Sequence, residues 1–244
     1  VARDLNGTTQ YMTTAAQYPR VNGTISMWIR PDWSTGDSAH RMLFETWDGG
    51  SNVFHVEYYT DNNWYWGWIT AGGDFRITVS AATMPLTAGN WYHVAYRWDD
   101  TTNASAVFLN GVSKGTGSAL ETANMSGFNF RIGAASDGSL PHDGRMGTVA
   151  LWSESLSDAA ILALAGGIQP LCVNPHTLLD EWLMMGRASP EPSTLGVNSL
   201  TLTGTPVYAD HHPLAFRRSV PSRPAFVSVA AAANAGVFAS IGFS

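Results

Sequence analysis

Alternation of apolar and polar residues runs through the first two thirds of the chain and sets its reading. In NGTISMWIRPDW, Ile25, Met27 and Ile29 share one parity, while Ser26, Trp28 and Arg30 share the other. A repeat of two belongs to a strand whose faces differ, and Pro31, which has no N–H to give, closes it. Further runs follow at 41–47 (RMLFETW), 52–59 (NVFHVEYY), 63–70 (NWYWGWIT) and 74–80 (DFRITVS). Others lie at 91–98 (WYHVAYRW), 105–111, 128–134 and 144–152. Turn signals separate them: Asp48-Gly49-Gly50, Asp61-Asn62-Asn63, Gly72-Gly73-Asp74 and Asp137-Gly138. Asn110-Gly111, set between AVFL and VSKG, predicts a type I′ hairpin, because that turn needs positive φ at both central residues.

One segment reads differently. LSDAAILALAGG predicts a short helix, with Ser157 as N-cap, Asp158 in the first turn and Gly166 near the C-cap. After it, HTLLDEWLMM reads as a further strand beside the N-terminus, and LGVNSLTLTGTPVYADHHP as short extended pieces. These elements predict an all-β fold: a two-sheet antiparallel jelly-roll sandwich with one short helix and an extended C-terminal arm. The segment WYHVAYRW carries apolar side chains on both parities, Tyr92, Val94, Tyr96 and Trp98 against Trp91, His93, Ala95 and Arg97. That marks a central strand covered on both faces, with His93 a packed, hydrogen-bonded histidine.

Composition supports this picture. Charged residues are 13% of 244, against roughly 25% in ordinary soluble domains, while glycine (24) and tryptophan (10) are plentiful. Tight turns and strand cores use those residues, and helical bundles do not. The net charge of -6 and a single lysine, Lys114, leave no basic surface for nucleic acid. Cys172 is the sole cysteine, which excludes an internal disulfide and a cysteine-based metal cluster. The N-terminus has no apolar run of the kind a secretory signal carries, so either export by that route is not expected or the signal has been removed.

Three motifs in order carry a resemblance. DLNGTTQYMTT and TISMWIRP precede NWYHVAYRWDDTTNASAVFLNG, and RIGAASDGSLPHDGRMGTVALWSESLSDAAILALAGG closes the series. Together they resemble the laminin G-like domain of the concanavalin A-like lectin/glucanase superfamily over roughly residues 3–168. The resemblance implies a jelly roll and leaves function open, since that architecture hosts lectins, adhesion modules, glycosidases and structural proteins. The glycosidases of the superfamily resemble one another in a Glu-x-Asp-x-x-Glu strand, and this chain has none. No Ser-His-Asp pattern is legible either, so an enzyme is not expected. The family also suggests acidic rim loops for calcium; Asp137 and Asp143 are the best candidates and Asp99 and Asp100 the next. Aspartates beside glycine are equally ordinary turn residues, and the working expectation is no cofactor.

The same sequence offers one candidate glycan surface. Trp64, Trp66 and Trp68 fall on one face of NWYWGWIT, where indoles could stack on pyranose rings or fill a core.

Domain organisation is read as a jelly roll over 1–188, a Pro-rich extended arm over 189–224 and an apolar tail over 225–244. The arm is locally basic at Arg217 and Arg218, and Phe226 opens the uncharged tail. In VFASIGFS, Val237, Ala239, Ile241 and Phe243 alternate, which favours a β-arm pairing with another subunit. A membrane anchor and a tail folded back on its own domain are the competing readings. The leading expectation is therefore a non-catalytic structural or attachment protein of a large assembly, most plausibly a bacteriophage virion decoration or fibre-like subunit and a homo-oligomer. The alternative is a secreted or surface carbohydrate-binding module located outside the cell.

Overall fold

The computed structural model describes residues 2–15, 21–118, 130–185 and 189–213. In chain order the strands are β1 (Ala2–Asn6), β2 (Tyr11–Thr14), β3 (Asn22–Pro31), β4 (Arg41–Trp47), β5 (Val53–Tyr58) and β6 (Asn63–Thr70). Next come β7 (Gly73–Asp74), β8 (Ile77–Ser80), β9 (Tyr92–Asp99), β10 (Ala104–Leu109) and β11 (Val112–Gly117). The series ends with β12 (Phe130–Ile132), β13 (Asp143–Trp152), β14 (Leu178–Trp182), β15 (Thr201–Thr203) and β16 (Val207–Ala209). One helix, α1 (Asp158–Ala165), sits between β13 and β14.

Two antiparallel sheets form. The first runs β11-β10-β9-β3-β13-β1-β16, with β14 also on β13. The second runs β15-β2-β12-β4-β5-β6-β7, with β8 also on β6. The chain crosses between the sheets repeatedly, while β4–β8 stay together in the second and β9–β11 in the first, an arrangement consistent with a jelly roll. Inward-facing parities fill the space between them. Ile25, Met27 and Ile29 of β3 and Val94, Tyr96 and Trp98 of β9 share one cluster with Phe54, Val56 and Tyr58 of β5. The Phe54 ring centroid lies 5.5 Å from that of Tyr96 and 5.8 Å from that of Trp98. Those aromatic pairs join the sheets directly.

The hairpin and helix form as their residues dictate. Asn110 (φ 49°) and Gly111 (φ 80°) both take positive φ between β10 and β11. Ser157 accepts the Ala160 N–H at 3.2 Å, and Asp158 pairs with Arg97 at 2.6 Å. Ile161 and Leu164 of α1 bury against Ala95, Phe108 and Trp152 on the outer face of the first sheet. So β9 is covered on both sides.

Three expectations need correction. The run at 74–80 is two strands, because Asp74 and Arg76 turn the chain between β7 and β8, with Arg76 N–H donating to Asp74 Oδ1 at 3.1 Å. HTLLDEWLMM pairs with β13, through Val149–Trp182 to Trp152–Leu178, and so continues the line of β1 along that strand's edge. Residues 189–213, expected in an arm, belong to the sandwich. There β15 pairs with β2, β16 pairs with β1, and Leu200 is fully buried in the main core. Arg3 and Glu191 make a buried ion pair at 2.7 Å that fastens this segment to the first strand. Six prolines suggested an extended chain, but the short alternating pieces TLT and VYA supply an outer strand to each sheet. The remainder of the expected arm and tail, 214–244, lies outside the described residues. No helix among the described residues is long and apolar enough to cross a membrane.

Candidate functional site

Trp64, Trp66 and Trp68 point inward and have no exposed surface. Trp64 lies tilted against Tyr58 (5.0 Å between centroids) and donates its indole N–H to Met84 O at 3.1 Å. These rings are core, and no sugar can reach them. That corrects the stacking expectation: the parity was right, but it faces the opposing sheet.

The outward parity of the second sheet is polar, and its register lines side chains across the strands. Thr13 pairs with Arg131, Arg131 with Glu45, Glu45 with His55, and His55 with Gly67. Beside this row, Glu57 accepts hydrogen bonds from His40 Nε2 at 2.7 Å and from Arg76 at 3.1 Å. Burial works to raise the Glu57 pKa, but His40 and the neighbouring positive charge outweigh it and hold the carboxyl below its ordinary range. Burial pushes His55 down to about 4, which leaves it neutral at pH 7 and able to accept from Arg76 Nη1 at 3.1 Å. A carboxyl held ionised cannot serve as a general acid near neutrality. This buried cluster is a satisfied floor.

Trp47, at the end of β4, stands out from that floor with 43% of its surface exposed. Its indole N–H donates to Gly50 O at 2.9 Å, which fixes the ring. Asp48 builds the turn that follows, accepting from Gly50 N (2.7 Å) and from Asn52 Nδ2 (2.5 Å). Burial works upward on Asp48, yet these bonds lower its pKa, so it is ionised at neutral pH. On the other side the 135–139 loop folds over the sheet. Ser136 N–H donates to Glu45 Oε2, Arg131 donates to Ala135 O at 2.7 Å, and Ser139 N–H donates to Asp137 Oδ1 at 2.8 Å. Arg131 Cζ also lies over Tyr11, 4.3 Å from the ring centroid.

Two clefts result, one on each side of Trp47. The first, about 340 Å³, is lined by Thr13, Trp47, Asp48, Gly49, Arg131 and Ser136 among others. The second, about 270 Å³, is lined by Glu45, Trp47, Val53, Ser136, Asp137 and Ser139 among others. They form a trough across four strands, with an aromatic ridge and polar side chains set among apolar ones in its walls. Sequence reasoning passed over Trp47. Its signal was a tryptophan at a strand end followed at once by Asp-Gly-Gly, a place where a ring has no opposing sheet to enter.

Asp137 and Asp143, the calcium candidates, are not brought together. Asp137 flanks the second cleft, while Asp143 pairs with Asn6 in the first sheet. No cluster of three or more histidine, cysteine or acidic side chains suited to a metal occurs among the described residues. His93 is fully buried, its Nε2 2.8 Å from Ser26 Oγ, and burial lowers its pKa to about 3. His212 covers this region, stacked on Trp28 at 4.6 Å. Arg217, Arg218, Phe226, Val237, Ile241 and Phe243 lie outside the described residues.

A family model described as the concanavalin A-like lectin/glucanases superfamily matches residues 6–162. The chain belongs to that superfamily. No curated protein sequence matches it. Solved structures share its fold at low identity. A putative carbohydrate binding protein from Bacteroides ovatus is 18% identical, with TM-score 0.61, over 86% of this chain and 62% of its own. A heptameric SAP-like pentraxin from Limulus polyphemus is 19% identical, with TM-score 0.53, over 67% of this chain and 81% of its own. The CBM40 of a Ruminococcus gnavus IT-sialidase, bound to α2,3-sialyllactose, is 17% identical, with TM-score 0.51, over 68% and 96%. At these identities the likeness is one of fold. Strands β15 and β16 lie beyond the matched residues and pair with β2 and β1.

Proposed function

We propose that this domain is a lectin-like carbohydrate-binding module without catalysis, and that its glycan site is the trough around Trp47. The observation that carries the proposal is an exposed indole, fixed by its bond to Gly50 O and set between two clefts that carry polar groups among apolar lining. A pyranose presents an apolar C–H face to a ring and hydroxyls around its edge, and this arrangement offers a partner to each. The glycan-binding descriptions of the Bacteroides ovatus and Ruminococcus gnavus relatives support the reading. An extracellular or surface location accompanies it, because that is where such glycans are displayed.

The attachment role in a larger assembly, such as a virion, rests on the lack of a signal segment, the lack of a catalytic motif and the apolar tail, and that tail lies outside the described residues. The site favours binding. A glycan array with the intact chain and Trp47→Ala tests it. Selective binding lost in the variant, at an unchanged thermal midpoint, is the expected result. No glycan bound, or equal binding by both proteins, would sink the proposal.

A further inference from the structure

Resting on that reading, we infer that the trough takes an uncharged glycan chain of at least three sugars, crossing the strands with its middle unit on Trp47. Two features point there. The first is shape. Each cleft alone lies near or below the lower limit of the roughly 300–1,000 Å³ usual for a ligand site. They flank one ridge, sharing Trp47 and Ser136. A monosaccharide on Trp47 would leave both clefts unfilled, whereas an extended chain enters one, passes over the indole and descends into the other.

The second feature is charge. The carboxyl groups of Glu45, Asp48 and Asp137 line the two clefts, against one cation, Arg131. Asp48 and Asp137 stand at opposite sides of the ridge, and hydrogen bonds from Gly50 and Asn52, and from Ser139, keep their pKa values low. Asp137 owes its shift first to Ser139. Arg131 donates from Nη1 to Ala135 O and sets its Cζ over the Tyr11 ring. A uronate or sialate carboxylate would therefore meet negative charge in both clefts, where one guanidinium stands against three carboxyl groups. Sugar hydroxyls instead find strong acceptors in those carboxylates.

Isothermal titration at 0.05 and 0.5 M salt tests this with a panel of neutral glucan, xylan and mannan oligosaccharides of one to six units. Oligogalacturonates of the same lengths and α2,3-sialyllactose complete the panel. The expected result is binding of a neutral series, at least tenfold tighter for three or more units than for one, and unaffected by salt. Galacturonates and sialyllactose should bind at least tenfold more weakly. Trp47→Ala should abolish the signal. Ser139→Trp, at an exposed position on the second cleft, should narrow that cleft and erase the gain with length. Preference for the acidic oligosaccharides, or affinity that falls with salt, overturns the inference while leaving a lectin at Trp47. Equal affinity for one and six units overturns the chain-length part in the same way. Absence of binding to every glycan on both the panel and the array overturns the lectin reading itself.

Discussion

Replacing His93 by glutamine should make the protein's stability less sensitive to acid by a defined amount. His93 has no exposed surface, bonds only Ser26 among the described contacts of its ring nitrogens, and packs edge-on to Trp28 at 5.3 Å. Burial alone lowers its pKa from 6.5 to about 3. Because the folded value lies below the unfolded one, protons bind the unfolded chain first. The stability this neutral ring allows is complete above about pH 6.5 and is lost as pH falls toward 3. Between pH 7 and pH 5 one such histidine contributes a loss of about 2 kcal/mol, roughly 1.4 for each pH unit below 6.5. Glutamine has no proton to gain and can still reach Ser26. At pH 7, His93→Gln should be less stable than the parent by about 1–3 kcal/mol, from altered packing. By pH 5 that gap should shrink by about 2 kcal/mol. Urea unfolding followed by tryptophan fluorescence at pH 7, 6 and 5 measures it. Asp143, Asp180 and Glu181, raised by burial, act in the opposite sense, but they cancel in the difference between the two proteins. A gap that stays constant or widens on acidification would refute the argument that burial holds this ring neutral.

Other substitutions separate core from site. Trp66→Ala removes a fully buried ring and should cost about 3–5 kcal/mol in denaturant unfolding, whereas Trp47→Ala should leave the midpoint nearly unchanged. Arg3→Ala would remove the buried cation paired with Glu191, whose side chain is 2% exposed, and should cost about 3–5 kcal/mol. Replacing both partners, with Arg3→Met and Glu191→Leu, should restore most of that loss, and a double variant no better than the single would refute the ion-pair account. Gly111→Ala forces a Cβ into positive φ and within 2.7 Å of Leu162 Cδ1, so it should lower the thermal midpoint by several degrees.

The parts of the fold that follow from local chemistry were legible. The parity of Ile25, Met27 and Ile29, the positive-φ demand at Asn110-Gly111 and the cap at Ser157 each act within a few residues. The C-terminal strands were harder, because TLT and VYA are too short to signal more than extension. Only the open edges of β2 and β1 give them a place. The site was least legible. Trp64, Trp66 and Trp68 gave the louder aromatic pattern, while Trp47 was a single ring before a turn.

The contrast between those tryptophans divides the two sources of information. Sequence alone determined that the chain alternates, where it turns, that two apolar parities need covering, and that no disulfide can form within the chain. It could not say which side of β6 or β4 meets the opposing sheet, because a period of two is symmetric to inversion. Tertiary packing decided that. It buried three indoles of β6 against β9 and β5, left Trp47 beyond the edge of that contact, and brought the 135–139 loop alongside it. A binding surface arises from elements distant in sequence, and the physical reason is that exposure belongs to the assembled sandwich and not to any one strand.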